Sequence, residues 1–89
     1  MISYRKMERI VKGFSNHRRI QILELLNTYP NLSVLEISSK LKINYKTASE
    51  HIRRLAISGL VWKRNRGSNV LHELSPLGLS ILKFLRKLE

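Results

Sequence analysis

Apolar positions along the chain follow two periods. Up to Gly59 they recur every three or four residues, the spacing that keeps side chains on one face of a helix. Met7, Ile10, Val11 and Phe14 make the first stripe, with Arg5, Lys6, Arg9 and Lys12 opposite, and Gly13 is expected to end that helix. Ser15 or Asn16 can cap a second helix, HRRIQILELLNTY, in which Ile20, Ile22, Leu23, Leu25 and Leu26 leave only a narrow polar strip through Gln21 and Glu24. Such a helix belongs at the buried centre of a fold, and Pro30 and Asn31 end it. Ser33 and Glu36 have the spacing of a capping box, opening a third helix whose apolar side is Val34, Leu35, Ile37 and Leu41. After a break at Lys42 to Asn44, a fourth helix capped by Asn44 turns Ala48, Ile52, Leu55 and Ala56 inward. Its other residues, Tyr45, Lys46, Thr47, Ser49, Glu50, Arg53 and Arg54, point away, and Gly59 stops it.

The period then changes. Leu60 to Arg64 and Asn69 to Leu74 are rich in strand formers, with RGSN between them as a turn signal, so an antiparallel hairpin is expected with KRNRGSN, Lys63 to Asn69, at its tip. Ser75 and Pro76 start a last helix, along which Leu77, Ile81, Phe84 and Leu88 form a seam suited to packing on another helix. The chain reads as a single α+β domain, mainly α, with about five helices and a two-stranded β-hairpin.

Charge changes the picture more than length does. In 89 residues, Lys and Arg number 17 against 6 acidic residues, for a formal net charge of +11, and an excess of that size favours a polyanionic partner: nucleic acid or an anionic membrane surface. There is no cysteine, hence no disulfide framework or thiolate metal site. No apolar run approaches the ~18 residues of a spanning helix, and the N-terminus has no signal-like apolar core, so a cytoplasmic location is expected. His17, His51 and His72 show no ligand spacing, no Asp is present, and no Gly-rich phosphate loop or periodic pair of acids occurs. No metal, cofactor, small-molecule ligand or catalytic activity is expected.

A helix, a short turn, a second helix and then a basic hairpin is the order of a winged helix-turn-helix domain, with the helix-turn-helix over 33–58, the wing over 60–74 and a C-terminal helix over 76–88. The stretch LEISSKLKINYKTASEHIRRLAISGLV, Leu35 to Val61, resembles the motif of ArsR-like and related winged-helix transcription regulators. Glu36 and Ile37 match that family's acidic-aliphatic pair, Leu41 the end of its first motif helix and Ile43 its buried turn residue. Thr47, Ala48 and Ser49 match the core of its recognition helix, and His51, Ile52, Leu55, Gly59, Leu60 and Val61 match that helix's second half and exit. FSNHRRIQILELL resembles the family's entry into its second helix, and LSPLG its step from wing to last helix. Metal-sensing members carry Cys-x-Cys where this chain has Ser33, Val34 and Leu35, so a metal-sensing role does not transfer.

The resemblance implies a homodimeric regulator that binds double-stranded DNA site-specifically, most simply a repressor that occludes a promoter. A helix enters the major groove by its polar face, N-terminal turn first, so Tyr45, Lys46, Ser49 and Glu50 are the candidates for base edges, Arg53 for a base or a phosphate, and Asn44 and Thr47 for the backbone at the helix start. Lys63, Arg64, Arg66 and Ser68 of the wing, with Lys40, Lys42 and Arg18 beside the motif and Arg19 next to it, are expected on phosphates or in the minor groove. Arg53 and Arg54 are not expected to share a face, and Trp62 is expected to pack in the core or hairpin. Dimerisation is assigned to Met7, Ile10, Leu77, Ile81, Phe84 and Leu88, since the terminal helices commonly pair in the resembled families. A winged-helix protein-interaction module, or a non-specific nucleic-acid-binding protein, are the alternative functions of the same fold.

Overall fold

In the computed structural model, which describes residues 1–89, short-range capping chemistry sets where each helix begins. Ser3 accepts from the Lys6 N–H at the head of α1 (Tyr4–Phe14), and Asn16 accepts from Arg18 and Arg19 at the head of α2 (His17–Thr28). Ser33 and Glu36 close a reciprocal capping box on α3 (Val34–Leu41), Asn44 caps α4 (Tyr45–Ile57), and Ser75 caps α5 (Pro76–Arg86) with Pro76 in its first turn. Between α4 and α5 run β1 (Val61–Arg66) and β2 (Asn69–Leu74), paired antiparallel from Val61 opposite Leu74 to Arg66 opposite Asn69. This is the expected winged helix-turn-helix order.

α2 is the buried centre. Its Ile22, Leu23 and Leu26 meet Ile37 of α3, Ile52 and Leu55 of α4, Leu60 and Val61 at the foot of the wing, and Leu82 of α5. Some apolar residues fall outside that core. α3 packs through Val34, Ile37, Ser38 and Leu41, an i, i+3, i+4, i+7 stripe, which leaves Leu35 off the stripe and 66% exposed. In α5 the inward stripe is Gly78, Ile81, Leu82 and Leu85, so the seam expected through Leu77, Ile81, Phe84 and Leu88 is divided. Ile81 goes to the protein's own core, while Leu77, Phe84 and Leu88 face out. Gly13 does not end α1, which continues to Phe14; a side chain at 13 would overlap that of Ser58, just past the end of α4. Gly59, at φ 77°, does end α4.

The hairpin turn is tighter than expected. Lys63 to Arg66 lie within β1, so only Gly67 and Ser68 form the turn, because Asn65 and Arg66 find pairing partners in Val70 and Asn69. A further bridge ties the wing to the α2–α3 connection: the Asn31 and Leu32 N–H groups donate to the His72 carbonyl, and His72 N–H donates to the Leu32 carbonyl at 2.8 Å. A single apolar residue such as Leu32 has no period, which is why the sequence carries no sign of this bridge.

His72 is 1% exposed and its ring Nδ1 lies 2.9 Å from the same Leu32 oxygen. Burial holds its pKa below the ordinary histidine value, with Lys63 acting in the same direction and the Leu32 bond opposing. The unfolded chain therefore takes up a proton as pH falls through about 6.5, while the folded chain resists it until lower pH. Stability is expected to decline from pH 7.5 to pH 5, followed by Tm, and His72→Gln should make that decline shallower. An equally steep decline in the variant would assign it to another group, such as His51, whose pKa is lowered in the same direction by burial and Arg19.

Candidate nucleic-acid interface

The turn between α3 and α4 is held by Lys42 in the left-handed conformation, φ 55°, and by Asn44, whose Oδ1 accepts from the Lys46 and Thr47 N–H groups at 2.8 and 3.3 Å. These fix the start of α4. They also occupy the Asn44 side chain as a cap, so of the first-turn N–H groups the structure leaves Tyr45 uncapped. Ala48, Ile52 and Leu55 bury one side of α4; Tyr45, Lys46 and Thr47 are exposed, and Ser49 is half-buried. Lys46, Glu50, Arg53 and Ile57, spaced 4, 3 and 4, form a single outward stripe.

Glu50 organises that stripe. Arg53 donates to both of its oxygens, Nε at 2.9 Å and Nη2 at 2.7 Å, and Arg54 donates from Nε at 3.1 Å. Arg53 and Arg54 therefore do meet at one group, contrary to expectation, because residues i+3 and i+4 flank residue i on a helix. The hydrogen bonds from Arg53 and Arg54 lower the Glu50 pKa to about 2, so the carboxylate stays charged and holds both guanidinium groups along the helix.

Behind α4, Arg19 joins three helices. Its Nε donates to His51 Nδ1 at 3.3 Å, and its Nη1 donates to the Lys12 and Gly13 carbonyls at the end of α1. Arg19 is thus tied into the fold through Nε and Nη1, and no bond is made by its Nη2. Arg18, the preceding residue, is half-buried and donates to Gln21 at 3.0 Å. Neither the Arg19–His51 contact nor the clustering at Glu50 follows from composition; the i+3 and i+4 spacing of Arg53 and Arg54 from Glu50 is the one available signal.

In the wing, Arg64 lies within β1 rather than at the tip, and donates to Glu73 across the hairpin at 2.8 Å. Lys63, Arg66 and Ser68 are exposed, with Arg66 and Ser68 at the turn. Trp62 is not in the core: it is 52% exposed and lines a groove with Leu26, Pro30, Leu74 and Leu79, because β1 turns only Val61 inward. Lys40 lies over the Tyr29 ring, 4.3 Å from its centre, and Lys42 is exposed. Of the residues assigned to a dimer seam, Met7, Leu77, Phe84 and Leu88 are exposed, together with Val11 and Leu79, whereas Ile10 and Ile81 pack on the core. No three His or acidic side chains gather as a metal site, and no helix is long and apolar enough to cross a membrane.

Residues 16–63 match the family described as bacterial regulatory protein, arsR family. The chain is 38% identical over 66 residues to the transcriptional activator HlyU of Vibrio cholerae, an alignment covering 74% of this chain and 60% of HlyU. It is 30% identical over 83 residues to the HTH-type transcriptional regulator Rv2034 of Mycobacterium tuberculosis, covering 93% of this chain and 77% of that protein. Among solved structures, the homodimeric winged helix-turn-helix DNA-binding domain Mb0332 of Mycobacterium bovis superposes with a TM-score of 0.80 at 29% identity, over 93% of this chain and 76% of that one.

Proposed function

Because the chain belongs to the arsR family of bacterial regulatory proteins, we propose that it binds double-stranded DNA site-specifically as a homodimer and regulates transcription. The observation that carries this reading is the division of α4 into a buried stripe and an outward polar stripe, on a helix whose start is fixed by Asn44 and which leads directly into a basic wing. Tyr45, Lys46 and Ser49 approach base edges, with Glu50 and Arg53 acting as one paired unit beside them. Thr47, Lys42, Lys40 and Arg18 serve the backbone near the turn, and Lys63, Arg64, Arg66 and Ser68 serve it from the wing. Residues 1–89 work as one domain, with 33–58 reading, 60–74 gripping and 76–88 pairing with α1 at the dimer seam. Met7, Leu77, Phe84 and Leu88 supply the contacts there, with Ile10 and Ile81 beneath them.

A protomer 38 Å in its longest dimension suits a pair of recognition helices about 34 Å apart, one turn of the duplex. A dimer of this size covers a promoter site and represses by occlusion. HlyU is named an activator, so the sign of regulation is read from a reporter with the site placed over or upstream of the promoter. Partnership with chromosomal DNA puts the protein in the cytoplasm.

The test is competition at physiological salt. One duplex should be preferred over random competitor by about 10³ or more. Contact with about four phosphates per protomer should give a log-log salt slope near −3.6, and roughly double that for the dimer. Equal affinity for all duplexes would leave a coating protein, and weak binding even at low salt would leave a protein-interaction module.

A further inference from the structure

Gly13 lies in the last turn of α1 where that helix passes the end of α4, and a side chain there would overlap Ser58. With bare backbone at that point the two helices approach closely. Ser58 Oγ donates to the Arg54 carbonyl at 2.9 Å and sits 3.4 Å from that of Arg9. The approach brings together two faces of the same charge. Arg9 and Lys12 of α1, with Arg53 and Arg54 of α4, line a cleft of about 290 Å³. Only two carboxylates answer these four cations: Glu50, shared by Arg53 and Arg54, and Glu8, 3.7 Å from Lys12. The cleft remains cationic, and the free protein bears the self-repulsion.

Its position gives this charge a use. Arg53 belongs both to the cleft and to the outward stripe of α4 that begins at Lys46, so the cleft is the continuation of the proposed reading face. When the N-terminal turn of such a helix lies deep in the major groove, its far end rises toward the phosphates that border the groove.

We propose that the cleft between α1 and α4 binds one backbone phosphate of the duplex through Arg9 and Lys12 with Arg54, which makes α1 part of the DNA interface. This rests on the reading of α4 as the groove-binding helix. The phosphate is a diester of the bound strand, outside the bases that α4 contacts, so the cleft contributes affinity and placement and leaves sequence choice to the first turns of α4.

The test is Arg9→Gln with Lys12→Gln, both exposed on α1, against Lys83→Gln with Lys87→Gln, which removes equal charge from the C-terminal segment, with both variants first verified as dimers. The cleft pair should make the salt slope shallower by about 0.9 per protomer, with the preferred sequence unchanged, and the control pair should leave the slope as it was. A single uncharged methylphosphonate moved along each strand should weaken wild-type binding at each contacted phosphate, and at one of these positions per half-site, where the wild type loses about tenfold, the cleft variant should be insensitive. An unchanged slope, equal effects of the two pairs, or equal sensitivity of wild type and variant to every methylphosphonate would overturn the cleft while leaving the α4 reading intact. Failure of the wild type to bind any duplex would remove both.

Discussion

Alanine at position 78 is expected to destabilise the protein by about 2–3 kcal/mol and to lower its Tm by roughly 10–20 °C. On propensity alone the change should help, since alanine in a helix interior is favoured over glycine by about 1 kcal/mol. The site reverses that sign. A Cβ on Gly78 would overlap the Leu60 carbonyl oxygen and come within 3.2 Å of Leu74 Cδ2. The Leu60 oxygen is backbone, and it already accepts from Ser75 N–H at 3.1 Å, while Ser75 Oγ caps α5 and donates to the Gly59 carbonyl at 2.6 Å. To make room, α5 must move off the exit of α4 and the foot of the wing together, breaking bonds at both. Thermal melts of Gly78→Ala and of Ser80→Ala, an exposed position on the same helix, separate clash from propensity. A Gly78→Ala protein as stable as wild type would show that α5 does not seat against Leu60 as described.

What is legible in the sequence is what acts locally. Asn16, Ser33 with Glu36, Asn44 and Ser75 could be recognised as caps because each acts on N–H groups two or three residues away, and the core stripe of α4 was legible because helical period is local. Features that need two distant segments were not. The bridge of Leu32 to His72, the reach of Arg19 to His51, and the passage of α1 across Ser58 at Gly13 join positions 30 to 50 residues apart, with no pattern in between. Gly13 and Gly78 look alike as helix-breaking residues, yet both lie inside helices as points of close approach. In the candidate interface, the polar face of α4 was legible as a list of residues, but not the pairing of Glu50 with both arginines. A first strand that ends at Arg64 puts that residue at the wing tip; the strands instead pair as far as Arg66, the last residue before Gly67, which puts Arg64 against Glu73.

The second large effect is expected in which sequence is bound. Ser49→Ala with Glu50→Ala removes the half-buried hydroxyl and the carboxylate that fixes Arg53 and Arg54. Each lost base-edge contact is worth about 1–3 kcal/mol of discrimination, so across two half-sites the preference for the wild-type sequence should fall by roughly 10² to 10⁴. Affinity for random duplex should not fall with it, because the substitution removes a negative charge from a face that approaches phosphates and frees two guanidinium groups to meet them. The fold should survive: Glu50 is exposed and neither side chain belongs to the core. Loss of specific and random binding in parallel would mean that α4 acts only as a support for the wing.

Selection of bound duplexes from a random pool, run in parallel on the wild type and this double variant, decides whether α4 chooses the bound sequence. The wild type is predicted to enrich one two-fold symmetric sequence with half-site centres about 34 Å apart, and the variant to enrich a different or degenerate one while keeping the wild type's affinity for random duplex. Enrichment of no sequence by the wild type, or of the same sequence by both proteins, would contradict the assignment of sequence choice to α4.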